Sequence, residues 1–284
     1  MKFTKMQGCG NDYIYINESE EKIPAGGKAC LVKRMSDRHY GIGGDGVVFI
    51  RACFDADFEM EVYNADGSRA EMCGNGVRCV AKYVYEKGMT RKTKLVIKSC
   101  GRKIYTELFT ENGAVSSVRV NMGTPLFSAD AVPVTGCKYR MQVVQEPIKA
   151  AGRLFKMTCV SMGNPHTVVF VEDVQRFPVD QTGPCFECHP RFPRRTNVEF
   201  VQVLDRATIY MRVWERGSGE TCACGTGACA AVAACVLNGL TDAAVTVKLL
   251  GGQLKIEWDL KRNLLFMQGP AETVFEGEYR YPQV

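Results

Sequence analysis

The two halves of the chain carry the same motif, a cysteine followed by glycine, a polar residue and glycine. A shift of 151 positions superimposes the two cysteines and four pairs of glycines: Cys73 with Cys224, Gly74 with Gly225, Gly76 with Gly227, Gly88 with Gly239, and Gly101 with Gly252. A second marker, Gly10-Asn11 in one half and Gly163-Asn164 in the other, precedes its cysteine by nearly the same distance. Self-similarity at a fixed spacing indicates a duplicated fold.

Each cysteine motif precedes a segment with helical features. After Cys73, Val77, Val80 and Val84 recur at helical spacing, and the segment stops at Gly88. After Cys224, residues 228–237 are apolar on every side, which is typical of a helix buried all round. We therefore predict one helix after each cysteine, and we expect the second to be enclosed by a sheet.

Short runs rich in β-branched and aromatic residues surround both predicted helices. These candidate strands are residues 57–63, 94–98, 117–120, 167–171, 207–214 and 245–249. We predict an α/β (α+β) protein of two similar halves, joined near residues 122–125. The functional site is expected in the cleft between the halves, where ligand sites commonly occur.

The paired cysteines suggest a chemistry. A thiol at a helix N-terminus is near the positive end of the helix dipole and free N–H donors, which lower its pKa from a reference of about 8.5. Two such helix ends facing each other form a carboxylate-binding nest. With an α-amino acid bound, one thiolate removes the α-proton while the opposite thiol returns one, which inverts the centre.

Polar residues in or beside the repeated motifs are candidates for binding the fixed groups of such a substrate. They are Asn11, Asn64, Asn164, Asn197, Glu215 and Arg216. Arg216 suits a carboxylate and Glu215 suits an ammonium group. His166, two residues after Asn164, is a supporting candidate, as a base or as a structural residue.

Four motifs together closely resemble the diaminopimelate epimerase family. They are Gly10-Asn11-Asp12-Tyr13, Asn64-Ala65-Asp66-Gly67-Ser68 running into Cys73-Gly74-Asn75-Gly76, Gly163-Asn164-Pro165-His166, and Glu215-Arg216-Gly217 running into Ala223-Cys224-Gly225-Thr226-Gly227. The resemblance spans nearly the whole chain. It implies a cofactor-independent enzyme that interconverts LL- and meso-2,6-diaminopimelate, in lysine synthesis and, in many bacteria, peptidoglycan precursor synthesis.

The resemblance also implies a fold and a set of roles. The fold is two pseudo-symmetric domains, each a curved, mainly antiparallel sheet around a central helix: residues 1–123 with 270–284 returning to them, and residues 124–269. Cys73 and Cys224 are the acid/base pair. Substrate is bound by Asn11, Asn64, Asn164, Asn197, Glu215 and Arg216, with backbone donors at Gly74, Asn75, Gly225 and Thr226. Gly46 stands where some relatives carry Gln, and it is left out of the predicted site.

Composition excludes some classes of protein. A net charge of +5 is too small for extensive phosphate neutralisation, and the longest apolar run is about half a membrane span. The 14 cysteines follow a start without a signal-peptide stretch, so we expect a cytoplasmic protein with free thiols. We expect a small-molecule substrate, no nucleic-acid or membrane partner, no metal or cofactor, and a homodimer as the candidate assembly.

Alternative interpretations remain. Cys185-Phe-Glu-Cys188-His189 fits a haem-attachment pattern or half a zinc site, but we interpret it as a loop with two incidental cysteines. The glycine pattern of residues 41–46 is interpreted as a tight turn, because residues 47–50 after it predict a strand. The rival enzymes are a proline racemase and a hydroxyproline epimerase, and the rival outside enzymes is a redox-switch or metal-binding protein. A regulatory Cys73–Cys224 disulfide is a further hypothesis.

Overall fold

The structure is a computed structural model that describes residues 1–21, 23, 25–70, 74–137 and 140–280. Residues 71–73 include Cys73, so the predictions for that side chain lie outside the described residues. The chain divides into two compact units: unit 1 is residues 1–120 with 269–284, and unit 2 is residues 121–268.

Strands account for most of the regular structure. In chain order they are β1 (Lys2–Gly8), β2 (Asn11–Asn17), β3 (Gly46–Ala52), β4 (Phe58–Asn64), β5 (Arg69–Ala70), β6 (Lys94–Ser99), β7 (Arg102–Glu111), β8 (Ala114–Gly123), β9 (Glu146–Ala150), β10 (Arg153–Ser161), β11 (Pro165–Phe170), β12 (Asn197–Asp205), β13 (Thr208–Glu215), β14 (Gly219–Thr221), β15 (Ala244–Leu249), β16 (Gly252–Asp259), β17 (Leu264–Gly269) and β18 (Glu272–Glu278). The helices are α1 (Lys28–Ser36), α2 (Gly74–Glu86), α3 (Val179–Glu187) and α4 (Gly225–Leu237), with a short 3-10 helix at Ala25–Gly27.

The two units repeat one strand order. In unit 1 the order is β18-β1-β2-β3-β4-β6-β7-β8, with β5 beside β4. In unit 2 it is β9-β10-β11-β12-β13-β15-β16-β17, with β14 beside β13. In each order the third and fourth strands pair in parallel, as do the fifth and sixth, and the other pairs are antiparallel. The predicted fold class, two pseudo-symmetric and mainly antiparallel α/β halves, is confirmed.

The helices that follow the cysteine motifs pack against these sheets. α4 contacts β10, β11, β12, β13, β15 and β16, and its residues from Ala228 to Cys235 are all fully buried. α2 contacts β1, β2, β6 and β7 and buries its apolar face. The prediction of a helix after each cysteine is confirmed, and the sheet of unit 2 encloses α4 as expected.

The other two helices were not predicted. α1 packs Leu31, Val32 and Met35 into a core that includes Phe49 of β3. α3 contacts β12, β13 and β14 and contains Cys185, while Cys188 is its C-terminal cap. The interpretation of this cysteine pair as part of a loop is therefore wrong. Proline and glycine inside a nine-residue helix obscure its periodicity, and burial against the sheet stabilises it.

The strand predictions are confirmed, with ends that differ by at most three residues. Residues 47–50 lie in β3 as expected, but Gly46 is already the first residue of that strand, and residues 41, 42, 44 and 45 before it lie in bends. The longest helices, α2 and α4, have 13 residues each, and across the described part of the chain no helix has the length and hydrophobicity needed to cross a membrane.

Candidate active site

Cys224 lies at the start of α4, as its N-terminal cap. The backbone is extended at this residue, and the Sγ atom accepts a hydrogen bond from the Gly227 backbone N–H at 3.3 Å. The Thr226 hydroxyl lies 3.5 Å from the same sulfur. A Cβ atom at Gly227 would lie 3.2 Å from the sulfur and 2.7 Å from Glu199 Oε1, so glycine is needed for this close approach. The first turn of α4 thus holds the buried thiol at the positive end of the helix.

The protonation of this thiol differs from the expectation. Burial raises the pKa of Cys224 well above its ordinary value, and the carboxylates of Glu215 and Glu199 raise it further. Hydrogen bonds with Thr226 and Gly227 act in the opposite direction and do not compensate. The prediction that the helix N-terminus lowers the pKa of this thiol is wrong for Cys224, because desolvation and two carboxylates outweigh the dipole. The raised pKa favours the protonated thiol at Cys224.

Glu215 ends β13 beside this thiol. Its Oε1 atom accepts a hydrogen bond from the Thr221 hydroxyl at 2.5 Å. Burial raises the pKa of Glu215, opposed by hydrogen bonds with Thr221 and Cys224. β13 turns into β14 through Gly217 and Gly219, both with positive φ, which is a conformation that favours glycine.

His166 belongs to a buried polar chain. Its Nδ1 atom lies 2.6 Å from Glu199 Oε1, and its Nε2 atom lies 3.0 Å from Asn164 Oδ1. Both His166 and Glu199 are fully buried. The Asn164 amide in turn donates to Thr226 Oγ1 at 3.3 Å, which connects the chain to the start of α4. With both ring nitrogens engaged, His166 fits a positioning role better than direct proton transfer.

Glu199 was not among the residues predicted from the sequence. A charged residue in an apolar strand, two positions after Asn197 and therefore on the same face of β12, is the signal that identifies it. Its Oε2 atom is buried and has no hydrogen-bond partner among the described residues. A carboxylate in this setting is costly and points to an electrostatic role beside Cys224.

Asn197 and Arg216 are joined through the backbone. Asn197 Oδ1 accepts from the Arg216 N–H at 2.9 Å, and its Nδ2 atom donates to the Pro165 carbonyl at 2.8 Å. The Arg216 guanidinium is exposed and donates from Nη1 to the Arg194 carbonyl at 3.1 Å. Asn197 is therefore hydrogen-bonded to both Arg216 and Pro165, and it holds the backbone of Arg216 in place.

In unit 1, Asn11 and Asn64 lie at the same end of the sheet. Asn11 begins β2 and donates from Nδ2 to Asp45 Oδ2 at 2.7 Å. Asp45 also accepts from Arg38 Nη2 at 2.9 Å, so a charged pair orients the Asn11 amide. Asn64 ends β4 and donates from Nδ2 to Ser68 Oγ at 3.1 Å.

Gly46 in unit 1 has the same position in the strand register as Asn197 in unit 2. Gly46 pairs with Tyr13 and Asn64, as Asn197 pairs with His166 in unit 2. A Cβ atom at Gly46 would lie 1.9 Å from the Tyr63 carbonyl oxygen. The backbone here leaves no room for a side chain such as Gln.

The start of α2 contains Gly74 and Asn75, and it is followed by a buried arginine. Arg78 is fully buried and donates from Nη1 to Asn75 Oδ1 at 3.0 Å and from Nε to the Pro270 carbonyl at 3.0 Å. The equivalent position on α4 is Cys229. A buried cation in the first two turns distinguishes α2 from its counterpart.

Eight predicted residues of unit 2 thus lie around the start of α4 and the β13–β14 turn: Asn164, His166, Asn197, Glu215, Arg216, Cys224, Gly225 and Thr226. Asn11, Asn64, Gly74 and Asn75 are described in unit 1. Cys222 is exposed, in contrast to Cys224. His189 uses Nε2 for the Lys149 carbonyl and Nδ1 for the Arg191 N–H, which is not the arrangement of a haem or zinc ligand. Among the described residues, no three potential metal ligands cluster.

Solved structures share this fold at low sequence identity. A phenazine biosynthesis protein of Bacillus anthracis is 14% identical with a TM-score of 0.72, and the match covers 99% of each chain. A hydroxyproline epimerase of Agrobacterium vitis is 15% identical with a TM-score of 0.68, covering 98% of this chain and 91% of that one. The fold is therefore shared by a class of proteins whose solved structures include a hydroxyproline epimerase, and the site described here contains a cysteine at a helix start.

Sequence comparison assigns the chain within that class. The family model described as diaminopimelate epimerase matches residues 3–127 and 158–274. A diaminopimelate epimerase of Agathobacter rectalis is 53% identical over 98% of this chain and 99% of its own length. One from Methanococcus maripaludis is 51% identical over 98% of this chain and 99% of its own. The chain belongs to the diaminopimelate epimerase family.

Proposed function

We propose that this chain is an amino-acid epimerase that interconverts LL- and meso-2,6-diaminopimelate without a cofactor. Its membership of the family supports the substrate. The observation that carries the proposal within the structure is the buried Cys224 thiol at the N-terminus of α4, hydrogen-bonded to Gly227 and flanked by Glu215. A thiol in this position is suited to deliver a proton to a carbon held against the helix end.

In the proposed step two sulfurs act on opposite faces of one α-carbon. The Cys73 thiolate takes the α-proton, and the electron pair of the broken C–H bond stays on the carbon. The Cys224 thiol then gives its proton to the other face, which leaves Cys73 as a thiol and Cys224 as a thiolate. The opposite substrate isomer runs the step in reverse. The raised pKa of Cys224 supports its protonated form in the resting enzyme.

The carbanion requires stabilisation in the interval between loss of the α-proton to Cys73 and delivery of a proton from Cys224. The first N–H groups of a helix have no partner within it, so those at Gly225 and Thr226 are donors for the reacting carboxylate. We assign Gly74 and Asn75 the same role at the start of α2. Such fixed dipoles stabilise developing charge without reorganising.

The remaining predicted residues are assigned to the substrate's ionic groups. Glu215 is a partner for an ammonium group of the substrate. The positive charge of that ammonium group would offset the carboxylates that raise the pKa of Cys224. Arg216 is a partner for a carboxylate. Asn11, Asn64, Asn164 and Asn197 complete the substrate-binding set, and His166 with Glu199 supports them from the interior.

We propose further that the enzyme is cytoplasmic and functions as a homodimer whose two units are the two epimerase domains. Val274 and Phe275 on β18 are exposed apolar side chains that a second copy can cover. Light scattering on the purified protein tests the assembly. A monomer at every concentration would contradict the dimer and leave the catalytic proposal unaffected.

The substrate is tested by incubating the reduced protein with LL-diaminopimelate and separating the isomers by chiral chromatography. We expect conversion toward a mixture of LL and meso isomers with no added cofactor. L-Proline and hydroxyproline are tested in parallel, because a solved structure of the same fold is a hydroxyproline epimerase. Conversion of proline or hydroxyproline with none of diaminopimelate would replace the proposed substrate.

A further inference from the structure

α3 presents one charged residue on its buried face. The residues of α3 that are buried are Val179, Thr182, Gly183, Phe186 and Glu187. They follow helical spacing, so they form one face, which packs against β12, β13 and β14. Glu187 ends this face, and its side chain is only 8% exposed. A carboxylate in this position needs hydrogen bonds to offset its desolvation.

Three donors converge on the Glu187 carboxylate. Oε2 accepts from the Trp214 indole N–H at 2.7 Å, and Oε1 accepts from the Gly217 backbone N–H at 2.9 Å. Arg195 Nη1 donates to Oε1 at 3.3 Å. Burial alone would raise the pKa of Glu187, but these hydrogen bonds outweigh it, so the pKa lies below its ordinary value and the group is ionised at neutral pH.

The indole reaches this carboxylate because residue 183 is glycine. A Cβ atom at Gly183 would lie 2.5 Å from Trp214 Cγ and 2.7 Å from Trp214 Cβ. α3 therefore packs closely on the end of β13, immediately before Glu215 and Arg216.

The β13–β14 turn contains Gly217 and leads into Gly219, and both glycines have a positive φ, so the local sequence alone constrains this backbone weakly. The Ser218 N–H bonds to the Glu215 carbonyl at 3.1 Å and closes the turn. Two side chains fix the turn from outside it: Asn197 accepts the Arg216 N–H, and Glu187 accepts the next N–H along, that of Gly217. The backbone of Arg216 is therefore held at consecutive peptide groups from β12 and from α3.

We propose that Glu187 is a positioning residue for Arg216, the residue assigned above to a substrate carboxylate. This inference rests on the proposed function. The ionised carboxylate fixes the turn through Gly217 and fixes the preceding strand end through Trp214. Substrate binding then does not have to order a glycine-rich turn, and that ordering would otherwise weaken binding.

The substitution Glu187→Gln tests this positioning role, because it removes the charge and leaves the size of the side chain nearly unchanged. The amide has one acceptor oxygen, so it cannot accept from both Trp214 and Gly217, and its own N–H₂ group faces a donor. We expect KM for diaminopimelate to rise about tenfold, the equivalent of one lost hydrogen bond to a charged group, with kcat nearly unchanged. Asp180→Asn is the matched control, because Asp180 is an exposed acid on the same helix. It should leave KM at the wild-type value.

A double-mutant cycle separates positioning from general stabilisation. If Glu187 acts through Arg216, Glu187→Gln in an Arg216→Lys background should raise KM by less than about threefold. An equal rise in both backgrounds, or an unchanged KM in a folded Glu187→Gln variant, would overturn the proposal. If Glu187→Gln does not fold, Glu187→Asp serves instead, since it keeps the charge but is too short to reach both donors.

Amide hydrogen exchange tests the same contact without reference to activity. We expect faster exchange in the peptide that covers residues 215–219 in Glu187→Gln, and no change in Asp180→Asn. Unchanged exchange in that peptide would refute the proposed fixing of the turn. If the wild-type protein does not epimerise diaminopimelate but the variants show this exchange pattern, the proposed substrate is wrong and the structural role of Glu187 is retained.

Discussion

α2 and α4 have the same length and the same glycine pattern at their starts, yet they lie in different surroundings. α4 is buried on all sides from Ala228 to Cys235 and has no charged residue. α2 is amphipathic, with Lys82 half-buried on one side and paired with Glu86. The shared starts and divergent bodies indicate that the duplication preserves the cysteine motif for its chemistry, while each helix body is adapted to its own sheet.

The electrostatic surroundings of the two starts differ as well. Cys224 has two carboxylates nearby, Glu199 and Glu215, which raise its pKa. α2 has instead the buried guanidinium of Arg78. Among the described residues, buried charges of opposite sign thus lie at the two helix starts, and the proposed mechanism begins with one protonated and one deprotonated sulfur.

The largest expected effect is on the cysteines themselves. Cys73→Ala and Cys224→Ala should each reduce epimerisation by at least about 10³-fold, because each removes an acid/base group on one face of the carbon. Chiral chromatography of the products measures the rate, with Cys222→Ala as the control for an exposed thiol in the same loop. Retained turnover in either single variant would mean that the two halves are not both catalytic.

Equivalent positions on the two helix bodies should respond differently to charge. Ala233 of α4 aligns with Lys82 of α2. Ala233→Lys should destabilise the protein by about 3–5 kcal/mol, the cost of an unpaired buried charge. Lys82→Ala should cost about 1 kcal/mol, because it removes one partly exposed ion pair and a hydrogen bond to the Val115 carbonyl. Urea denaturation measures both values, and similar losses would contradict the difference in burial.

The charges around Cys224 can be tested through its titration. Removing the Glu215 charge should lower the pKa of Cys224, since a nearby anion disfavours the thiolate. The Glu215→Gln variant is alkylated across a pH series and the labelling of each cysteine is measured by mass spectrometry. Cys224 should therefore be labelled faster in the variant than in the wild-type protein at a given pH. Cys159 and Cys235, whose pKa burial raises to about 12, are internal controls that should not change. A pKa that rises or stays constant would contradict the electrostatic assignment.

The smallest expected effect is in unit 1. Asp45→Asn removes the charge that pairs with Arg38 and leaves an amide facing Asn11, so it should raise KM about threefold, a fraction of one hydrogen bond. Steady-state kinetics measures the change. Glu111→Gln, which changes an exposed acid at the end of β7, is the control. A kcat effect with unchanged KM would argue against a binding role for Asn11.

The sequence was most informative where a residue pattern has one structural solution. The all-apolar segment after Cys224 predicts a buried helix, and the duplicated motif predicts two similar units. Residues 179–187 could not be predicted as a helix, since Gly183 and Pro184 weaken the local signal and contact with Trp214 stabilises it. The raised pKa of Cys224 also depends on tertiary contacts, because Glu199 is distant in sequence and approaches only through the strand pairing of β12.

The central claim is that two sulfurs act on opposite faces of one carbon, and proton NMR in deuterated water tests it most directly. LL-diaminopimelate is followed with the reduced wild-type protein and with both cysteine variants. We expect newly formed meso isomer to carry deuterium at the inverted carbon, while unreacted LL isomer initially keeps its proton. Neither cysteine variant should form product. Deuterium appearing in the LL isomer as fast as in the meso isomer, or conversion by either variant, would contradict the two-base mechanism.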